Sequence, residues 1–267
     1  LFTAKDTKIA KVMHGKVLRL ARYLAAAGVA SRRACETLIR EGKVTVNGEC
    51  VTTPAVNVTP DQDEVQYAGR PVRLVAHRYV MLYKPAGVTC SAQDRHASRL
   101  VGDLIPDSLG RLFTIGRLDR DSEGLLLLTN DGEFAERLAH PRYQVPRRYR
   151  VWVRGDVTPA CLEAWRRGVQ DAGEFLRPQS VQVLSRDRNQ GVLEFVLTEG
   201  KKREVRRLCA SVGLGVHRLV RVALGGLALD GLNPGEWRDL TQHEVQGLLA
   251  VGSEACPHPP MRRFTSV

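Results

Sequence analysis

Along residues 18–51 the apolar positions keep a helical spacing over two runs and then alternate. Leu20, Leu24 and Ala27 recur at the spacing of one helical face, and Gly28 supplies a residue suited to a helix C-terminus. Ser31 carries the short oxygen-bearing side chain of an N-cap, so a second helix is expected from there to Gly42, with Ala34, Leu38 and Ile39 on its apolar side. The following stretch, KVTVNGECV, alternates as a strand does. Within it Asn47-Gly48 is the dipeptide that two-residue hairpins favour, because both positions need a positive φ. Two helices and a hairpin thus define a first unit over residues 18–67, after a tail at 1–17.

YAGRPVRLVAHR, ending at Arg78, reads as a Gly-, Pro- and Arg-containing connector, which places a linker at 68–78. From Tyr79 to residue 251 the pattern is that of a second, larger domain. RLFTI, LLLLT, YRVWV, SVQVL and VLEFVL read as strands, and EFAERLA, PACLEAWRRGV and REVRRLCASVG as helices. These strands lack the regular helical crossovers of a doubly wound sheet. The expected class is therefore α+β, a mixed and mainly antiparallel sheet with flanking helices, plus the small helix-helix-hairpin domain. Residues 252–267 have the composition of a disordered tail.

Charge narrows the partners. Forty Lys and Arg against 29 Asp and Glu give the 267-residue chain a net charge of +11, which favours a polyanion partner over plain solubility, with an acidic membrane surface as the competitor. No uncharged apolar run approaches the roughly 18 residues of a membrane span, and the basic N-terminus has no signal-peptide core, so a cytoplasmic protein is expected. The six cysteines are scattered without a C-x-x-C pair, which argues for reduced thiols and against a metal site or a disulfide framework. Phosphate-binding, dinucleotide, zinc-protease and serine-hydrolase signatures are absent.

In the first unit, Arg19, Arg22, Arg32, Arg33, Arg40 and Lys43 fall largely outside the apolar stripes and are interleaved with few acids. An ordinary solvated face would look similar; a surface for phosphate contacts suits the one-sided charge better. The stretch RLARYLAAAGVASRRACETLIREGKVTVNG resembles the small RNA-binding fold named after ribosomal small-subunit protein four. That resemblance implies binding to structured RNA and no chemistry of its own.

The densest chemistry lies in GRLDRDSEGLLLLTNDG, residues 116–132, where Asp119, Asp121 and Glu123 stand just before four leucines. The first acids mimic a calcium-binding loop, but its twelfth position is Asn130 and the leucines offer no oxygen ligands. A glycosidase carboxylate pair fits neither the spacing nor the basic chain. A plain polar turn remains a competitor. Against it, LLLLT must be a buried strand, and Gly116 and Gly124 bracket the loop where tight turns or close approach of a ligand would be needed. A carboxylate held at a sheet edge in this way can be aimed, as a nucleophile must be.

The run from Gly116 to Val151 is very similar to the central motif of the RsuA/RluB family of ribosomal RNA pseudouridine synthases, and YKPAGVTCS from Tyr83 and EGKKREVRRLCASVGLGVHRLVRVALGGLALDGLNPGEWRDLT from Glu199 resemble the same family in the same order. The resemblance implies an isomerase that converts uridine to pseudouridine without a cofactor or metal. It implies that Asp119 is the catalytic aspartate, that Tyr149 packs against the target base and helps remove its proton, and that Arg206 is the basic residue paired with the aspartate. Arg117 would hold the flipped nucleotide or fill its gap, and Lys84 would touch phosphate unless it serves the turn before Pro85. Glu204 stands where many relatives have Gln. The implied partner is ribosomal RNA, bound by a monomer. The branch resembled acts on large-subunit RNA; a small-subunit target, a ribosome-assembly protein without chemistry, and a DNA-binding regulator are the alternatives. The last lacks a recognition-helix arrangement or dimerisation heptad.

Overall fold

The computed structural model describes residues 16–91, 94–95 and 97–251. The expected tails therefore lie, apart from residues 16 and 17, outside the described residues. The chain divides into two compact units. One comprises residues up to Arg120, Leu126–Glu136 and Asn233–Gln242; the other comprises Asp121–Leu125, Arg137–Leu232 and the residues from His243 on. The six described helices and mostly antiparallel strands form the expected α+β fold.

The first unit begins with the helix-helix-hairpin module. Its helices are Leu20–Ala26 and Arg32–Arg40, and Gly28 takes a φ of 83° after the first of them. Ser31 caps the second helix by accepting a 3.2 Å hydrogen bond from the Ala34 N–H. The stripe that this helix buries runs through Cys35 and Ile39, while Ala34 faces solvent. Starting the helix at Arg32 rotates the i, i+4 pair Cys35/Ile39 inward, and small Ala34 is tolerated on either face. Strands Val44–Val46 and Glu49–Val51 form the hairpin, with Asn47 at φ 52° and Gly48 at φ 85° in its turn.

The sheet of the module is larger than a hairpin. Val65–Tyr67 pairs with Val44–Val46 on its other edge, and Arg70–Pro71 pairs with Val65–Tyr67. Val72 and Leu74 pack on the core of Leu20, Leu24, Ile39 and Val44, and the Tyr23 hydroxyl donates to the Val72 carbonyl at 2.9 Å. The segment expected as a linker from residue 68 therefore opens with a short edge strand. Its proline sits at the outer edge of the sheet, where a missing N–H costs no ladder bond.

The remainder of this unit contains the strand Tyr79–Lys84, buried along its whole length and paired antiparallel with Trp237–Asp239. Phe113–Ile115 pairs antiparallel with Leu127–Thr129. The chain then turns at Asp131, whose carboxylate accepts from the Glu133 and Phe134 N–H groups at 2.9 and 3.2 Å and so starts the helix Gly132–Ala139.

In the second unit the strands follow the order Ser180–Asp187, Gln190–Leu197, Arg147–Arg154 and Gly215–Leu224, all antiparallel. Glu123–Gly124 lies parallel to Val220–Arg221. Helices Pro159–Arg167 and Glu204–Ala210 enclose a core of Val151, Val153, Trp165, Leu193, Phe195 and Leu208. Trp165 meets Phe195 edge-on at 5.0 Å, and its indole N–H donates to the Leu208 carbonyl at 2.7 Å, so one ring joins strand to both helices. The ten-residue strand Gly215–Leu224 is not apparent from hydropathy, because His217, Arg218 and Arg221 interrupt its alternation. Its two arginines are placed by the contacts described next.

Candidate active site

The loop that begins at Gly116 leaves a strand ending at buried Ile115. Gly116 turns the chain at φ 67°, Arg117 is exposed, Leu118 is buried and Asp119 is half-buried. Just after Asp119 the backbone is anchored. The Arg120 carbonyl accepts from the Gly87 N–H at 2.7 Å, and the Arg120 Nε donates back to the Gly87 carbonyl at 3.4 Å. Gly87 can turn its N–H there because it adopts φ 85°. The YKPAG and GRLDR segments are thereby tied together through backbone groups, which do not swing as side chains do.

Asp121 and Glu123, the other two acids, are both paired. Arg203 grips Asp121 with both terminal nitrogens, Nη1 to Oδ1 at 3.2 Å and Nη2 to Oδ2 at 3.1 Å. Arg206 Nη2 lies 3.0 Å from the same Oδ2, donates to the Asp121 carbonyl at 3.1 Å, and Nη1 donates to the Val216 carbonyl at 3.3 Å. Partial burial raises the Asp121 carboxyl, but the hydrogen bonds from Arg203 and the charges of Arg206 and Arg203 outweigh it, so its pKa falls below the ordinary range. Arg218 holds Glu123 with two bonds of 3.1 Å while its guanidinium covers the Trp152 ring at 4.8 Å. The charge beside the leucine run thus meets the arginines of two neighbouring segments.

Gly124 explains the close entry into the strand. It sits at φ 109°, and a Cβ there would fall 2.3 Å from the Arg221 carbonyl oxygen. Glycine is required by approach of another strand, and the ligand approach considered from sequence is not what fixes this position. Arg221, almost fully buried, donates from Nε to the Leu125 carbonyl at 2.7 Å on the same seam.

Tyr149 lies in the Arg147–Arg154 strand opposite Phe195 on one side and Arg221 on the other, half-buried against the second unit's core. A break in register between Arg148 and Tyr149 re-aims the strand at this position. Arg206 is expected from the resemblance to pair with the catalytic aspartate; within its own unit its guanidinium serves Asp121. Glu204 is buried, with Oε2 accepting the Lys201 N–H at 3.2 Å and Oε1 finding no hydrogen-bond partner among the described residues. Burial pushes its carboxyl above the usual range, against the Lys201 N–H and the charge of Arg147.

The structure corrects the phosphate-contact role of Lys84. Its side chain is fully buried, donating to the Pro85 carbonyl at 2.9 Å and lying 3.5 Å from the Arg120 carbonyl. A lysine in a six-residue strand with no exposed position cannot reach a phosphate; its ammonium serves the turn and the loop instead. The module's basic residues are differently placed. Arg19, Arg32, Arg33, Arg40 and Lys43 are exposed or half-exposed and Arg22 is half-buried. Arg22 pairs with Glu133 at 2.8 Å, Arg40 with Glu36 at 3.7 Å and Lys43 with Glu41 at 2.7 Å, and Arg19 donates to the Ala55 carbonyl.

The chain thus combines a braced loop that carries half-buried Asp119 with a basic two-helix module. Residues 78–211 match the family described as RNA pseudouridylate synthase, and residues 18–65 match the S4 domain. The chain belongs to the RNA pseudouridine synthase family. It is 40% identical over 242 residues to an RNA pseudouridine synthase of Aquifex aeolicus strain VF5, covering 90% of this chain and 97% of that relative. It is 41% identical over 235 residues to ribosomal large subunit pseudouridine synthase B of Bacillus subtilis strain 168, covering 87% and 96%. The crystal structure of a pseudouridylate synthase superposes with a TM-score of 0.61 at 29% identity, over 86% of this chain and 99% of that one. Among the described residues no helix is long and apolar enough to cross a membrane.

Proposed function

We propose that this enzyme isomerises a specific uridine in ribosomal RNA of the large subunit, 23S in a bacterial cytoplasm, acting as a monomer. The observation that carries the chemistry is the presentation of Asp119: a half-buried carboxylate between a glycine turn and a carbonyl bonded to Gly87. The similarity to the Bacillus subtilis enzyme named for the large subunit supports the choice of RNA.

In this reading the basic module holds RNA by its phosphates, and the target nucleotide leaves its stack at a cost of a few kcal/mol. Arg117, exposed beside Asp119, holds the flipped nucleotide or takes its place in the helix. Asp119 either attacks C1′ of the ribose or assists loss of a sugar proton to form a glycal, and the C1′–N1 bond breaks. The uracil turns while enclosed and C5 bonds to C1′, displacing the Asp119 carboxylate on the first route or with C2′ regaining its proton on the second; the C5 proton then leaves and N1 gains one. Tyr149 packs on the base and assists removal of the C5 proton, and Arg206 keeps the aspartate's surroundings favourable to its charged form.

Mapping pseudouridine in ribosomal RNA from cells with and without this protein tests the reading. One site is expected to disappear from 23S RNA and to return with the wild-type gene but not with Asp119→Asn. An unchanged map would favour a binding protein without chemistry, and a lost site in 16S RNA would move the target to the small subunit.

A further inference from the structure

We propose that Asp121, held by Arg203 and Arg206, is a positioning residue: it fixes the chain two residues after Asp119 and so sets where the nucleophile stands, without touching the nucleotide. The proposal rests on the reading of Asp119 as the nucleophile.

The contacts are of the kind that fix a chain in place. Arg203 holds both carboxylate oxygens, and Arg206 holds one of them together with the Asp121 carbonyl. A bond to a carbonyl orients the peptide plane itself, and a two-pronged guanidinium fixes direction as well as distance. Ser122, the next residue, is buried at the entry to the strand. The clamp therefore joins the exit of the loop to a regular element.

The far side of the clamp is specialised. Arg203 occupies the left-handed region at φ 52° and ψ 31°, unusual for a residue with a Cβ. Its turn is closed in both directions, with the Lys201 N–H bonded to Glu204 Oε2 and the Glu204 N–H bonded to the Lys201 carbonyl at 3.3 Å. An arginine meant only to meet phosphate in solvent needs no such backbone. Sparsely populated backbone conformations persist where the surroundings enforce them, and here the enforced conformation goes with the grip on Asp121.

Charge gives a second line of argument. Asp121 remains about half exposed, at 48% of its side-chain surface, and Arg203 at 43%, so core burial does not account for the group. On the reading of Asp119 as nucleophile this loop faces RNA, where a carboxylate opposes phosphate and cancels guanidinium charge that would otherwise attract it. Its presence works against affinity, which leaves placement of the loop as what it contributes.

The test is single-turnover pseudouridine formation on unmodified 23S transcript with enzyme in excess, with the dissociation constant measured separately. Asp121→Asn and Asp121→Ala are expected to slow the bound-state rate about 10- to 100-fold, as misplacement of a reacting group does, while RNA affinity stays equal or tightens. Arg203→Ala is expected to slow the wild-type background several-fold and to add nothing in the Asp121→Ala background, since it acts through that carboxylate. The proposal is overturned if the Asp121 variants keep the wild-type rate at saturation, or if Arg203→Ala costs the same in both backgrounds, which would make Arg203 a direct RNA contact. If Asp121→Ala loses its cooperative thermal transition, Asp121→Asn and Arg203→Lys keep the shape and carry the same rate comparison. Wild type and Asp119→Asn run alongside; product from the Asp119 variant would sink the nucleophile reading and leave the clamp to be judged by the cycle.

Discussion

The arginines of the N-terminal helices and those around the 116–124 loop are drawn from the same composition, but they are put to different uses. On the module, Arg32, Arg33, Arg40 and Lys43 stand exposed, and the acids that meet Arg40 and Lys43 are the sequence neighbours Glu36 and Glu41, whereas half-buried Arg22 reaches Glu133. Around the loop, Arg203, Arg206 and Arg218 reach residues 82 to 95 positions away, and each is itself fixed by a turn, a carbonyl or an aromatic ring. Exposed charge acts over a Debye length and tolerates motion, which suits attraction of a phosphate backbone. Charge locked between segments acts over one bond length and fixes geometry. If the proposed roles hold, binding and chemistry in this protein differ in how firmly their arginines are held.

Four experiments test that contrast. The largest effect is expected from Asp119→Asn, which should lower pseudouridine formation by more than about a thousand-fold, on the scale of losing a covalent or charge-stabilising group, with RNA affinity unchanged in a filter-binding titration. Loss of affinity instead would place Asp119 among the binding residues. Next, Gly124→Ala should destabilise the fold by about 2–4 kcal/mol, read as a lowered Tm, because its Cβ would overlap the Arg221 backbone and its φ is unfavourable for alanine. An unchanged Tm would mean that the seam between these strands yields easily.

A milder and selective effect is expected on the module. Replacing Arg32, Arg33 and Arg40 by alanine should weaken RNA binding and reduce the slope of log K against log salt by roughly 1 for each phosphate that is no longer neutralised, leaving the saturated single-turnover rate intact. A fall in that rate would tie the module to the chemistry. The smallest effect is expected from Glu204→Gln. The carboxyl is raised in the folded state, so wild-type stability declines as pH rises from the unfolded value toward the folded one, where the buried group must ionise. The glutamine variant should match wild type in acid and exceed it slightly in Tm at neutral pH. A lower Tm at neutral pH would show that the ionised form is the one the site accommodates.

Much of the fold was legible because local chemistry and tertiary structure agree. Ser31 caps its helix, Asn47-Gly48 makes its hairpin, and LLLLT is a buried strand, each for reasons that reside within a few residues. The strand Gly215–Leu224 escaped because its arginines meet distant residues, Glu123 for Arg218 and Leu125 for Arg221. For Lys84 the sequence left a phosphate contact and a turn role open: its charge signals a surface, and only the Pro85 and Arg120 carbonyls show how it is buried. Asp121 and Arg203 carried a faint signal, two acids beside the proposed nucleophile and a dense run of arginines later in the chain, but nothing in the order of residues says which arginine meets which acid.

The order of residues was enough for the module and the class of the fold, because periodicity, turn residues and motif order are properties of short stretches, and its resemblance to a known family is what singles out Asp119 as the proposed nucleophile. Tertiary structure alone decided that Gly124 answers to Arg221, that Lys84 lies inside, and that Asp121 rather than a solvent shell receives Arg203 and Arg206. Those outcomes depend on which segments pack side by side, and pairing across 80 or more residues is set by the burial of the whole core, not by any segment's own preference.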